Sequence, residues 1–427
     1  VDDGWLERDG VRLHYLEWRS GGNAGAPAPP VLLLHGLSSN ARVWERVAQR
    51  LPGLRLVALD QRSHGLSDRP DTGYALDDVV ADAAHAVREL GLGRPLVAGH
   101  SWGAEVALAF AAGHPDLASG VAIVDGPTAS FSRFMTWEEA EVRMQPPLPT
   151  YSNLAEAEAE QRRYIGEAWA DDLGEFVRAG LVDTPDGGLA PTLTAPVRLQ
   201  ILRHLYAFQP ELLFADVQGP VLIALAAQLW PGAPTEFVER RRRSAEEVVE
   251  LRPDARLRWY DSRHDIPLIR PTELAGDLER TALAAGFGIV ATEAAAVAGR
   301  AGLDWARPAQ ADVDGWSAHD LLSHLASAQA SLAGMVSAPP RAADAPAFDP
   351  DRWNAGQVRR RAEATPAALA QEMRRGTEHL HAALMDVDLE ATTGAGRYAG
   401  QPVRAAIAHL LEHQQTHLEE LKTALAA

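Results

Sequence analysis

The sequence predicts an α/β fold, a parallel sheet interrupted by a helical insertion, followed by a separate all-α four-helix bundle. Three observations lead there. Short apolar runs of strand length alternate with amphipathic stretches over roughly the first 286 residues. Strand signals then cease. The 427 residues also exceed the ~100–200 of one ordinary domain. Strands alternating with helices argue for parallel pairing, because a parallel crossover needs a helix-length connection.

Val11–Trp18 alternates and reads as an edge strand, and Ala24–Pro30 as a turn. Val31–Leu34, Leu54–Leu59, Pro95–Gly99, Val121–Val124 and Pro220–Ala224 are continuous apolar runs, as expected of strands buried on both faces. Asp77–Leu90 and Ala104–Ala112 read as the helices between them. From Pro127 to about Gln218 no strand is expected; Ile165, Trp169, Leu173, Phe176 and Val177 fall on one helical face. The α/β pattern resumes at Val221 and Leu257–Tyr260 and ends in a helix from Thr272 to about Ala285. Residues 287–427 show helices only, at about 289–301, 317–336, 366–385 and 402–425, with Pro339–Pro350 breaking them. The expected domains are 1–286, with its insertion at about 127–218, and 287–427.

Composition narrows the function classes. There is no Cys, so disulfides, thiolate ligands and a Cys nucleophile are excluded, in keeping with a reducing cytoplasm. Net charge is −18, from 40 basic and 58 acidic residues, which disfavours nucleic acid as a partner. The densest basic run, Arg240–Arg243, is followed by Glu246, Glu247 and Glu250 and reads as a solvated helix face. No stretch approaches ~18 apolar residues, so no membrane span is expected. The N-terminus lacks a signal-peptide core, and the chain opens on Val1 without a methionine, as a trimmed form would.

The strongest motif is Gly99-His100-Ser101-Trp102-Gly103, a G-x-S-x-G between a predicted strand and a predicted helix. The glycines permit a tight turn that projects the Ser101 hydroxyl, and the Trp102 amide faces the same space. The segment Leu32-Leu33-Leu34-His35-Gly36-Leu37 ends an earlier strand, and the Leu37 amide is the candidate second donor to an oxyanion. In the scaffold that carries this motif the triad runs Ser, acid, His. His264, in Ser262-Arg263-His264-Asp265 after the last predicted strand, is the candidate base among the 15 histidines. A loop there can bring an imidazole over the elbow; its alternative is an ordinary surface residue.

Residues 1–286 thereby resemble an α/β-hydrolase with a helical cap. The matching pieces are LLLHGLSSNARVW (32–44), LDQRSHGLSDRP (59–70), GHSWG (99–103), VAIVDGP (121–127) and HDIPLIRP (264–271). Most members carry the triad acid after the strand that follows the cap, where this chain has Ala224-Leu225-Ala226-Ala227-Gln228 and no carboxylate. A minority carry it one strand earlier, which implies Asp125; its alternative role is a turn with Gly126. Ser63 stands where the family usually has Gly. Asp60 and Arg62 are expected to be structural. The resemblance implies a serine hydrolase of carboxylic esters or lactones, needing no cofactor, acting through Ser101, His264 and Asp125 with Leu37 and Trp102 as the oxyanion hole. Cap aromatics, Phe131, Phe134, Trp137, Tyr151, Tyr164, Trp169, Tyr206 and Phe208, suggest a hydrophobic small-molecule substrate. Cofactor-free oxygenation is a further alternative on the same scaffold.

In the last helix His409, His413 and His417 recur every four residues, so His413 and His417 share a face and could hold one metal ion. An earlier helix opens with a Ser317–Asp320 capping box and places His324 on its apolar side. DGWSAHDLLSHLA (314–326) and AIAHLLEHQQTHLEEL (406–421) resemble the DinB-like family of metal-binding four-helix domains, which includes mycothiol-dependent isomerases. The resemblance implies His324, His413 and His417 as ligands of a divalent ion, zinc or nickel. With no Cys in the chain, any thiol would be a separate low-molecular-weight one. The alternatives are thiol transfer or isomerisation in this bundle, or a bundle that only mediates homodimerisation.

Overall fold

In the computed structural model, which describes residues 1–19, 28–228, 235–309, 315–338, 348–394 and 396–426, the chain divides into two compact units, one ending at Glu279 and one beginning at Arg280. The predicted segments Ala24–Pro30 and Pro339–Pro350 lie largely outside the described residues.

Among its described residues the first unit contains ten strands: β1 Asp2–Arg8, β2 Val11–Trp18, β3 Val31–Leu34, β4 Leu56–Leu59, β5 Leu96–His100, β6 Gly120–Val124, β7 Leu181–Asp183, β8 Leu189–Pro191, β9 Val221–Ala226 and β10 Arg256–Tyr260. Eight form one sheet in the order β1-β2-β4-β3-β5-β6-β9-β10. Every pair from β4 to β10 is parallel. Strands β3, β4, β5, β6 and β9 are buried at every position, which is why they read as unbroken apolar runs.

The sheet is mixed rather than wholly parallel, and β2 is not its edge. β2 pairs antiparallel with both β1 and β4. The hairpin closes through Asp9 and Gly10, with φ of 52° and 77°, the two positive values that a tight two-residue turn needs. Leu6 is the buried residue of β1, so the strand carries almost no alternation to read. Gly4 leaves room there for the Tyr15 ring, whose hydroxyl oxygen would lie 2.4 Å from a Cβ at that position.

Between β6 and β9 lie the helices Trp137–Met144, Leu154–Ile165, Gly174–Ala179 and Ala195–Ala207. Thr136 and Glu139 form a capping box on the first, and Asn153 caps the second. The expectation of no strand here is corrected by the hairpin β7–β8, whose three-residue strands are too short to show a period.

Helix Pro271–Ala298 is continuous for 28 residues, where the sequence suggested two helices parted near Gly286. Glycine costs a helix ~1 kcal/mol, and full burial of Phe287 between Gly286 and Gly288 offsets that cost. By length and composition this helix could cross a membrane, which corrects the expectation that no such stretch exists; 61% of its most apolar 18-residue window is buried within the protein, as in a core helix.

The second unit adds helices Ala318–Ser337, Pro350–Arg360, Pro366–Met385 and Val403–Ala426. Pro350–Arg360 was not predicted. Pro350 does not break a helix but opens one, with the Asp349 side chain accepting from the Arg352 amide, the position where proline's fixed φ and missing N–H cost nothing.

Candidate active site and candidate metal centre

All the hydrolase candidates follow the C-terminal ends of parallel strands, where α/β sheets place their sites. Ser101 follows β5 at φ 56°, ψ −118° and precedes helix Trp102–Gly113 without a side-chain capping bond, so its hydroxyl is left for other partners. The turn is crowded. A Cβ on Gly99 would lie 2.0 Å from the Gly103 carbonyl oxygen, and one on Gly103 would lie 2.4 Å from that of Leu34. Gly99→Ala is therefore expected to cost about 2 kcal/mol or more of stability, read as a lower urea midpoint; an unchanged midpoint would refute the crowding argument.

The structure brings Ser101, His264 and Asp125 together. His264 Nε2 lies 2.9 Å from Ser101 Oγ, and His264 Nδ1 lies 2.6 Å from Asp125 Oδ2. Register explains the approach. His100 on β5 pairs with Val124 on β6, the Ser101 amide donates to the Val124 carbonyl at 2.9 Å, and the Asp125 amide donates to the Ala224 carbonyl at 2.7 Å. Asp125 adopts φ 46°, a left-handed strain that turns its carboxylate toward His264. Only 6% of its side chain is exposed, against 45% for His264. Burial pushes the Asp125 carboxyl upward, but the His264 hydrogen bond, the Arg241 charge and the Ala226 amide hold it below the usual carboxylate range. Burial depresses the His264 imidazole, and the hydrogen bond and charge of Asp125, with Asp265, outweigh it, so its pKa is raised. Gln228, the residue at the commoner acid position, instead donates to Asp261 at 2.6 Å.

Leu37 lies in the turn after β3, pressed against the elbow: a Cβ on Gly36 would lie 3.0 Å from Ser101 Cβ. A buried histidine network holds this turn. The Ser38 amide donates to His64 Nε2 at 3.1 Å, and His64 Nδ1 donates to the Arg62 carbonyl at 2.9 Å. Burial pushes His64 down to about 3, so it is neutral and structural. The His64 ring lies 5.4 Å from Trp102, which backs the elbow. His100 Nε2 donates to the His264 carbonyl at 2.9 Å, tying the base's loop to the elbow. Asp60 accepts from His14 and from the Ala41 and Leu66 amides, and Arg62 pairs with Asp82. Ser63 takes φ 66°, where a glycine would be unstrained, and its hydroxyl bonds Tyr74.

Arg241 was missed in the sequence. Its run does not form a uniformly solvated face: Arg240 and Arg243 pair with Glu236 and Glu247, whereas Arg241 pairs with Asp125 Oδ1 and donates to the Ala226 carbonyl at 2.6 Å. Its spacing of three, four and seven from buried Ser244, Ala245 and Val248 was the available signal. Arg241, Ser101, Asp125 and His264 share a cavity of about 590 Å³ with Phe131, Phe134, Met144, Tyr164, Leu205, Phe237 and Arg263. Of the aromatics named from sequence, Phe131, Phe134 and Tyr164 reach this cavity. Tyr151 and Phe208 are buried in the core, and Trp137 packs edge-on against Tyr206.

In the second unit His324, His413 and His417 each offer a ring nitrogen, all within 4.8 Å of one another. His324 Nε2 and His413 Nε2 are 3.4 Å apart. Two nitrogens on one tetrahedral zinc at ~2.0–2.1 Å stand ~3.3–3.4 Å apart, so this pair already has the spacing of two ligands to one ion. His417 Nδ1 donates to Glu420 at 2.7 Å, fixing the tautomer that leaves Nε2 free, as an outer carboxylate does in metal sites. Burial and the two neighbouring rings push His324 down to about 3, keeping it a neutral ligand. His409 lies outside the cluster, its ring 5.5 Å from Tyr398. A second cavity of about 320 Å³ opens onto His324 and His413 and is lined by Met335, Trp353, Arg397 and Tyr398 among others.

Comparison with known proteins identifies the family of each part of the chain. A family model described as alpha/beta hydrolase fold matches residues 29–162, and one described as mycothiol maleylpyruvate isomerase N-terminal domain matches residues 289–417. The 2-(acetamidomethylene)succinate hydrolase of Mesorhizobium japonicum is 32% identical over 200 residues, 46% of this chain and 69% of that protein. Lipase LipV of Mycobacterium tuberculosis is 28% identical over 249 residues, 57% of this chain and 90% of that protein. Among solved structures, E-2-(acetamidomethylene)succinate hydrolase superposes with a TM-score of 0.52 at 26% identity, covering 65% of this chain and 99% of the other. The thioesterase domain from the curacin biosynthetic pathway gives 0.52 at 19% identity, over 65% and 98%, a likeness of fold alone. The chain belongs to the α/β-hydrolase family and is an enzyme of that class, fused to a C-terminal helical domain of the DinB-like type.

Proposed function

We propose that the first unit is a serine hydrolase that cleaves a carboxylic ester or lactone through an acyl-enzyme. The observation that carries this reading is the unbroken hydrogen-bond chain from Ser101 Oγ through His264 to Asp125. Ser101 Oγ attacks the carbonyl carbon while His264 Nε2 takes its proton. The Leu37 and Trp102 amides receive the oxyanion. Collapse expels the alcohol, which takes the proton from His264, and water activated by His264 then hydrolyses the acyl-Ser101 ester. Asp125 keeps the imidazole in the tautomer with its lone pair toward Ser101. A Ser nucleophile, rather than Asp, disfavours alkyl-enzyme chemistry. The aromatic and aliphatic cavity wall favours a hydrophobic acyl or ring group, and the hydrolase chemistry needs no cofactor. A screen of p-nitrophenyl esters and lactones on wild type and Ser101→Ala tests this: turnover by wild type that vanishes in the variant is expected, and equal turnover by both would sink it.

The three-histidine cluster favours a second reading for the C-terminal domain, that of a divalent-metal site. His324, His413 and His417 would hold the ion, which would supply a Lewis acid able to lower the pKa of a bound water or of a low-molecular-weight thiol. Glu420 orients His417. The purified protein is expected to carry about one equivalent of zinc or nickel, lost in His413→Ala and His417→Ala, by elemental mass spectrometry. Wild-type protein that binds neither metal on reconstitution would refute this, and leave dimerisation as the bundle's role.

A further inference from the structure

The catalytic cavity has an unbalanced charge. Asp125 is the carboxylate among the lining residues, and it is wholly engaged by His264, Arg241 and the Ala226 amide; Asp265, just behind the wall, is engaged by the Tyr164 hydroxyl and its charge is felt at His264. The wall also carries Arg263. Arg263 Nη2 donates to the Ile165 carbonyl at 3.0 Å, and the guanidinium stands 5.9 Å from the Tyr164 ring; it has no carboxylate partner among the described residues.

A second unpaired cation stands behind the wall. Arg198 lies on helix Ala195–Ala207, seven residues before cavity-lining Leu205 and so on the same face. Its Nε donates to the carbonyl of Met144, another lining residue, at 3.0 Å. Its charge reaches His64, whose ring packs on Trp102. The Met144 contact places it just behind the cavity wall. Burial lowers its pKa with no carboxylate to restore it, and again no such partner occurs among the described residues.

In a chain of net charge −18, a half-enclosed cavity with surplus arginine draws anions in, because low-dielectric walls focus the field. We propose that the substrate carries a free carboxylate, bound directly by Arg263 and attracted by the field of Arg198, with the rest of its acyl part against the aromatic wall. The proposal deepens the hydrolase reading and rests on it for the position of the scissile bond.

The test compares kcat/KM for p-nitrophenyl hydrogen glutarate with that for neutral p-nitrophenyl valerate. Wild type should favour the anionic ester, and the preference should shrink as ionic strength rises. Arg263→Met should lower the anionic-to-neutral ratio at least about tenfold, as loss of a charge-assisted bond implies. Arg263→Lys should restore part of it, and Arg198→Met should lower it about threefold. A ratio favouring the neutral ester in wild type, or unchanged in Arg263→Met, overturns the proposal and leaves the hydrolase reading standing. Calorimetric binding of glutarate to Ser101→Ala separates the converse case. Saturable binding that Arg263→Met abolishes, with neither ester turned over by wild type, would overturn the hydrolase reading and support the anion site. No glutarate binding would overturn the site itself.

Discussion

Ser101→Ala is expected to lower kcat for a p-nitrophenyl ester by several orders of magnitude, on the order of 10⁶ where a serine triad acts as a unit. The reason is geometric. The β5-to-helix turn at φ 56° projects one hydroxyl toward the cavity, and that hydroxyl is the partner of His264 Nε2 at 2.9 Å. Without it His264 has no nucleophile to deprotonate except water, and what survives is the ~10³–10⁴-fold advantage over water that oxyanion donors and binding supply alone. The change removes one oxygen from a half-buried site, so stability should stay within ~0.5 kcal/mol of wild type. A folded variant with more than a tenth of wild-type turnover would move the chemistry to water activated by His264 and Asp125, or to the C-terminal domain.

The second large effect belongs to Asp125→Asn, expected to lower kcat by ~10³–10⁴ with Ser101 untouched. Asn presents an amide where His264 Nδ1 now finds a carboxylate at 2.6 Å. The ring is then free to place its proton on Nε2, facing Ser101, and the imidazolium loses its counter-charge. The pH profile carries an independent signature. The base must be neutral, so kcat/KM should fall as pH drops through the His264 pKa, which in the wild type is raised above the ordinary imidazole value. With the carboxylate gone, burial dominates and lowers that pKa, so the acid limb should move to lower pH even as the plateau collapses. Arg241→Met should move it the other way, since the Arg241 charge opposes protonation of His264. Limbs that stay in place in both variants would show that His264 is not the titrating base.

Much of this architecture is legible in the residues, for reasons that also explain the misses. Strands such as Val31–Leu34 and Val121–Val124 are buried on both faces, so burial alone dictates an apolar run. Gly99 and Gly103 are legible because backbone crowding excludes any side chain. His264 is legible from chain order. Asp125 is legible from the family resemblance alone, because the approach of the end of β6 to Ser101 is a tertiary fact that side-chain period does not carry. Strand β1 and hairpin β7–β8 escaped because their signal sits in the turns, at Asp9-Gly10 and Asp186-Gly187, rather than in hydrophobic period. Arg241 escaped because four consecutive arginines look alike until the helix fixes which of them faces inward. In the second unit the His-x-x-x-His spacing is a helical fact, but the approach of His324 from another helix is a tertiary one.

Covalent labelling with phenylmethylsulfonyl fluoride tests the central claim, that Ser101 is the nucleophile of an acyl-transfer site. Peptide mass spectrometry should find one sulfonyl group per chain, on the peptide containing Ser101, forming in step with loss of ester turnover and absent from His264→Ala. Full turnover with no adduct on Ser101, or loss of turnover with the adduct on another residue, would contradict it.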